Sequence, residues 1–322
     1  MSVYLSKQSA TQTDIVYLFI QRQDKWRASC SRWEHVDRVA LRDSDLRLLA
    51  ATEQHPHLAR ISLLQSMVTF ESVSWQPGGT DAPIVKDLSL TIPDGQFCCV
   101  VGPSGAGKTT LLRLAAGLLA ASSGRVSVNG QRPEDARSSL SYVFQQPVLF
   151  PWRTVLENIR MPLELRGTER DVDLSEHLDL VRLNGSSDKF PRQLSGGMQS
   201  RVAIARALVT DPRLLLMDEP FADLDEINRE HLNVELQRIW MTKRQTVVFV
   251  THDLAEAVFL ADRIVVLSTK PARLFADIAV SLPRPRGDET LDEPAFEAVL
   301  REVRHALRGA ARATDTDAVV AT

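Results

Sequence analysis

The residues best suited to chemistry lie in Gly102-Pro103-Ser104-Gly105-Ala106-Gly107-Lys108-Thr109-Thr110, which reads G-x-x-x-x-G-K-T. Glycines at this spacing let the backbone curl until several N–H groups face one anion. Lys108 adds a point charge that reaches terminal phosphates, and the Thr109 hydroxyl suits a magnesium ion. The pattern specifies a nucleoside triphosphate site. A Gly-rich turn that matches by chance is the alternative, and the flanks argue against it. Phe97-Cys98-Cys99-Val100-Val101 reads as a buried strand before the loop. Residues 111–119 are apolar nearly all round and read as a buried helix after it, whose positive end strengthens the anion site.

Other predicted strands deliver polar groups to the same crevice, because parallel strands present ligands at their C-terminal ends. Leu214-Leu215-Leu216-Met217 runs into Asp218-Glu219. Asp218 is placed to hold magnesium through water, and Glu219 to take a proton from an attacking water. Two surface acids in a loop are the minority reading, given the apolar run before them. Thr246-Val247-Val248-Phe249-Val250 runs into Thr251-His252-Asp253, and that position favours a phosphate contact for His252 over a structural role. Leu194-Ser195-Gly196-Gly197-Met198-Gln199 opens a helix, where free N–H groups and a hydroxyl make a second anion site. Ser195 taken alone also reads as an ordinary N-cap. Trp75 closes a strand, where its ring suits either stacking on a purine or covering a sheet edge.

The elements that must position these groups are α/β. Residues 68–74 alternate as a half-exposed strand does, and a second strand follows over 84–92. Together they predict an antiparallel flap beside the loop strand. Short strands are expected over 124–130, 140–144, 263–268 and 273–280. Strand signals stop between 154 and 208, which predicts a helical insertion over about 148–208. A final amphipathic helix is expected over 294–308. Residues 1–66 differ in composition and predict a poorly ordered or weakly docked extension, with a helix over 42–51. Met67 opens the first convincing strand, so the native start is expected there. Residues 311–322 read as a flexible tail.

The chain of 322 residues carries a formal net charge of -3, which gives no overall pull toward nucleic acid or an anionic membrane. No apolar run approaches the ~18 residues of a membrane span. Cys30, Cys98 and Cys99 offer neither a disulfide framework nor zinc spacing, and a reducing cytosol suits them.

These motifs, in this order, resemble those of the ATP-binding subunits of ABC transporters. Residues 102–109 match Walker A, Gln145 the Q-loop, 194–199 the family signature, and 214–218 Walker B. Glu219 matches the catalytic carboxylate, Asp225 the D-loop acid and His252 the switch histidine. The resemblance implies a P-loop cassette over 67–310 with a mixed sheet, a β flap and a helical subdomain. It implies ATP and magnesium, with Thr109, Gln145 and Asp218 around the metal. Two subunits would stack head to tail, so that Ser195, Gly196, Gly197 and Gln199 of one meet the ATP bound by the other. The partners implied are a second copy, transmembrane permease subunits and, indirectly, a solute-binding protein. The place implied is the cytoplasmic face of the inner membrane. Leu149-Phe150-Pro151-Trp152 would face the permease, or else simply pack the helical insertion.

Phe150-Pro151-Trp152-Arg153-Thr154-Val155-Leu156-Glu157-Asn158 and Leu282-Pro283-Arg284-Pro285-Arg286 look like the nitrate, sulfonate and taurine importer branch. That branch also takes in relatives for bicarbonate and pyrimidine precursors. A non-transport ABC ATPase is the other class considered. Such proteins usually carry tandem cassettes, long coiled coils or strongly basic segments, and none is visible here. The chain departs from the family at Pro77, where the base-stacking aromatic usually falls, and at Asp223, where a small residue is usual.

Overall fold

The structure is a computed structural model that describes residues 3–8, 15–20, 66–79, 82–168, 173–222, 224–269 and 271–313. Two compact units are present, residues 1–64 and 65–322. In the first, β1 (Val3–Gln8) and β2 (Ile15–Ile20) pair antiparallel, Val3 opposite Ile20. The expected helix over 42–51, Asp223 and the tail from 314 onward lie outside the described residues.

In the second unit, β3 (Ser66–Trp75) pairs antiparallel with β4 (Val85–Pro93) and with β6 (Ser123–Val128). Asn129 and Gly130 follow β6, both with positive φ, as a tight reversal requires. The main sheet holds β5 (Phe97–Val101), β7 (Leu140–Val143), β8 (Leu214–Asp218), β9 (Thr246–Val250), β10 (Arg263–Leu267) and β11 (Leu274–Ala279). Its order is β11-β10-β5-β9-β8-β7. All neighbours are parallel except β10 and β11.

The helices are α1 (Lys108–Ala115), α2 (Val155–Arg166), α3 (Ser175–Leu180), α4 (Gly196–Leu208) and α5 (Glu226–Lys243). They are followed by α6 (Leu254–Leu260), α7 (Asp288–Leu291) and α8 (Pro294–Arg312). Helices α2, α3 and α4 lie between β7 and β8 in the chain, and α8 runs four residues past the 308 expected from the sequence. Thr154 caps α2 through a reciprocal pair with Glu157, and Gly167 closes it in the left-handed region.

The central strands are apolar without interruption because both faces are covered. Their side chains alternate between two cores. Phe97, Cys99, Val101, Leu215, Met217, Val247 and Phe249 face one, with α2, α4, α5, α6 and α8. Cys98, Val100, Leu214, Leu216, Val248 and Val250 face the other, with α1 and the three-stranded flap. Burial on this scale pushes the Cys98 thiol up to about 12, so both adjacent cysteines behave as small apolar residues. The side-by-side order β5-β9-β8 brings three strand ends to one edge, and the phosphate loop, Asp218-Glu219 and Thr251-His252 follow those ends.

Candidate nucleotide site

The loop after β5 wraps an open cleft of about 560 Å³ lined by Gly102, Ser104, Gly105, Ala106, Gly107, Lys108, Thr109, Thr110, Ile84, Glu219 and His252. Gly105 and Gly107 have φ of +74° and +77°. At Gly107 a Cβ would lie 3.2 Å from both the Ile84 and Ala272 side chains, a tight fit, and the positive φ itself favours glycine. Pro103 shapes the turn, its carbonyl accepting from the Ala106 N–H at 3.1 Å.

Lys108 Nζ donates to the Gly102 carbonyl at 3.0 Å and the Pro103 carbonyl at 3.3 Å, and stands 4.0 Å from Glu219 Oε1. Burial pushes its pKa down, while the charges of Glu219 and Asp218 oppose the fall. The ammonium therefore curls over its own loop, within reach of an anion seated there. Asp218 accepts from the Thr109 hydroxyl on Oδ1 and from the Tyr142 phenol on Oδ2, each at 3.0 Å. Burial raises the Asp218 pKa, and these two hydrogen bonds hold the rise in check.

Glu219 Oε2 lies 2.9 Å from His252 Nδ1. Its backbone is locked as well. The N–H donates to the Val250 carbonyl at 2.9 Å, and φ is +45°, an uncommon value for a residue with a side chain. This turn aims the carboxylate out of the strand end into the cleft. Next to His252, Asp253 caps α6 and takes Arg229 Nη1 at 2.7 Å, while Arg229 Nη2 donates to the Leu224 carbonyl at 3.0 Å. Arg229 thus ties the turn before Asp225 to the histidine segment.

The remaining predicted groups stand apart from this cleft. Ser195 caps α4, its hydroxyl accepting from the Met198 N–H at 3.3 Å, and with Gly196 it is exposed. Gly197 is the next residue of the helix, and Gln199 turns back to the carbonyls of Pro191 and Leu194. Asp225 caps α5 and is held by Asn228 at 3.0 and 2.7 Å, which lowers its pKa. Gly196 approaches Leu224 closely enough that a Cβ would sit 3.4 Å from its side chain. The glycine segment and the Asp225 turn therefore form one surface of the chain. Gln145 follows β7 and is exposed. Trp75 is half-buried against the flap core, opposite Val85, and is not among the residues that line the cleft.

Three residues with a part in the site carry no motif of their own. Ile84 was read only as the start of a strand, yet it lies just before β4 and walls the cleft. Arg229 looks like any helix-surface arginine. Tyr142 could be found only by knowing that β7 lies parallel to β8, a pairing that links positions 142 and 216.

A protein-family model described as "ABC transporter" matches residues 85–222. The aliphatic sulfonates import ATP-binding protein of Bacillus licheniformis is 43% identical over 226 residues, covering 70% of this chain and 88% of that protein. An uncharacterized ABC transporter ATP-binding protein of Methanocaldococcus jannaschii is 44% identical over 217 residues, covering 66% and 81%. The dimeric post-hydrolysis structure of the ATP-binding cassette MJ0796 with ADP and Pi superposes with a TM-score of 0.59 at 30% identity, over 67% of this chain and 100% of that one. Likeness sustained over the greater part of both chains, with the phosphate loop, Glu219 and His252 in one cleft, has a plain meaning: this protein belongs to the ABC transporter family and is one of its ATP-hydrolysing cassettes.

Proposed function

We propose that the chain is the motor subunit of a multi-subunit importer for a small anion or sulfonate-like solute. It works as a homodimer on the cytoplasmic face of the inner membrane. Its partners are permease subunits, with a solute-binding protein acting through them. The observation that carries this reading is the segment after Gln145. Trp152 is 70% exposed and Val148 62% exposed, beside a groove of about 380 Å³ lined in part by Phe144, Phe150 and Met161. The backbone beneath is rigid. Arg206 donates to the carbonyls of Pro147 at 2.8 Å and Val148 at 2.9 Å, and buried Asn158 both accepts from the Phe150 N–H and donates to its carbonyl. A stiff mount that presents apolar side chains outward suits a protein partner. Among the described residues no helix is long and apolar enough to cross a membrane, so a membrane partner would have to supply the span. The sulfonate assignment follows from the likeness to the Bacillus aliphatic sulfonates import ATP-binding protein.

The residues present also fit magnesium. Thr109 and Asp218 offer hard oxygens 3.0 Å apart, and no group of three or more acidic, His or Cys residues that could hold a metal occurs among the described residues. Magnesium keeps several waters and takes substrate phosphates, so a sparse protein donor set is what it needs. When bound, it neutralises phosphate charge. Glu219 accepts the proton of the attacking water, His252 orients Glu219, and Lys108 holds the terminal phosphates. Ser195, Gly196, Gly197, Gln199 and Asp225 serve the nucleotide of the second copy, and Gln145 links the docking segment to the metal side of the cleft.

The test is affinity capture of the tagged chain from membranes of its own cell, followed by solute uptake in a strain lacking the gene. The reading expects an integral membrane protein to co-purify and sulfonate uptake to fall. Recovery of the chain with no membrane protein, and unchanged uptake, would refute it.

A further inference from the structure

We propose that Tyr142 is a positioning residue for the metal-bearing carboxylate, fixing Asp218 in the one rotation that presents Oδ1 to the metal. The inference rests on the magnesium reading above.

The geometry begins with strand register. β7 and β8 run parallel, and Tyr142 pairs with Leu216. A phenol reaching along the strand direction spans about two residues, ~6.6 Å at strand rise. Its hydroxyl therefore meets the end of β8, where it donates to Asp218 Oδ2 at 3.0 Å. The phenol O–H donates and the carboxylate oxygen accepts. The ring is braced against Phe144, with centroids 4.5 Å apart.

The two oxygens of Asp218 therefore have different partners. Oδ1 takes the Thr109 hydroxyl, a group suited to turn to a metal. Oδ2 takes Tyr142, which has no such second task. A carboxylate held on Oδ2 alone still has a fixed plane, and its Oδ1 stays aimed at the place Thr109 also faces. Without the phenol, Oδ2 is left without that donor and the Thr109 hydroxyl is the remaining hydrogen bond that orients the carboxylate. The same ring lines the apolar groove beside Val148, Phe150 and Met161. Among the described residues that line the groove, Tyr142 is thus the one with a hydrogen bond to the carboxylate.

The test is Tyr142→Phe in the full-length chain, which removes one oxygen and keeps the ring. Manganese serves as the metal probe, titrated by electron paramagnetic resonance in the presence of ADP. Fluorescent ADP is titrated separately without metal. Partners that orient a metal ligand typically affect affinity by 10–100-fold. We expect manganese to bind about tenfold more weakly to the variant, with metal-free ADP affinity within about twofold of the parent. Equal manganese affinity in the two proteins would overturn the role of Tyr142. So would matching losses of metal-free and metal-dependent binding, which would assign the tyrosine to general packing. If the parent itself bound no manganese with ADP, the magnesium reading would fail instead, so the two failures are distinguishable.

Discussion

Glu219 and His252 meet across two strand ends, Oε2 to Nδ1 at 2.9 Å, although 33 positions separate them in the chain. The contact exists because β8 and β9 are parallel neighbours, so residues that follow them emerge side by side. It also sets a division of labour. Among the described residues this carboxylate is the only acid lining the cleft, and in the proposed function the imidazole orients it.

Replacing Glu219 by Gln removes the proposed proton acceptor and keeps the shape. Loss of a general base typically costs 10²–10⁴-fold in rate. Steady-state phosphate release should fall at least about hundredfold while ATP affinity stays near that of the parent. A drop in affinity that matches the drop in rate would move Glu219 from catalysis to binding.

Gly107→Ala tests the loop. Its φ is +77°, and the added methyl would stand 3.2 Å from Ile84 and Ala272. The left-handed region costs a residue with a Cβ ~1–2 kcal/mol, before any clash. Nucleotide affinity should fall at least about tenfold, read by fluorescent ATP titration, with a lowered melting temperature in the absence of ligand. Unchanged affinity would mean the loop can be built without glycine here.

Glu256 on α6 gives a pH prediction. Burial pushes its carboxyl up to about 7, the Asp253 and Glu219 charges add to the rise, and Thr251 and Arg229 oppose it. Its Oε1 has no hydrogen-bond partner among the described residues. Between the ordinary value of 4.5 and about 7, the folded chain keeps a proton that the unfolded chain has released. Stability from this group therefore falls as pH rises through that window, by up to ~3 kcal/mol above it. Glu256→Gln should be more stable than the parent at pH 8 by ~1–3 kcal/mol, and the gain should vanish near pH 4. Urea midpoints at both pH values check this, and a difference independent of pH would contradict it.

Arg286 is 2% exposed and donates through Nη1 to the carbonyls of Val258, Phe259 and Ala261, and through Nη2 to that of Leu282. It closes the C-terminal end of α6, whose last carbonyls have no helical partners. Burial draws its pKa down to about 10. Arg286→Met should cost ~3 kcal/mol or more, because several buried carbonyls lose their donors at once. Thermal unfolding measures it, and a loss under ~1 kcal/mol would mean water replaces the guanidinium.

How far the sequence carried depended on whether a feature was local. The phosphate loop, the Asp218-Glu219 strand end and the Ser195 cap are contiguous runs, and each was readable with its flanking element. The helical insertion was readable from the absence of strand signals after Thr154. Residues whose part depends on sheet order were not readable. Tyr142 needed the β7–β8 pairing, and Ile84 needed the flap to fold over the loop. Trp75 suits either a base platform or a cover for the sheet edge; β3 holds it half-buried against the flap core, outside the residues that line the cleft. The transported solute is not legible in the cleft, whose lining is the phosphate loop with Ile84, Glu219 and His252.

In the proposed cycle, two copies close on ATP and part after Glu219 acts. Sedimentation of the Glu219→Gln chain with ATP and magnesium, set against the unaltered chain, decides it. A stable dimer with about two ATP molecules retained is expected in the variant, and a transient one in the parent. A variant that binds ATP and stays monomeric at every concentration would contradict it.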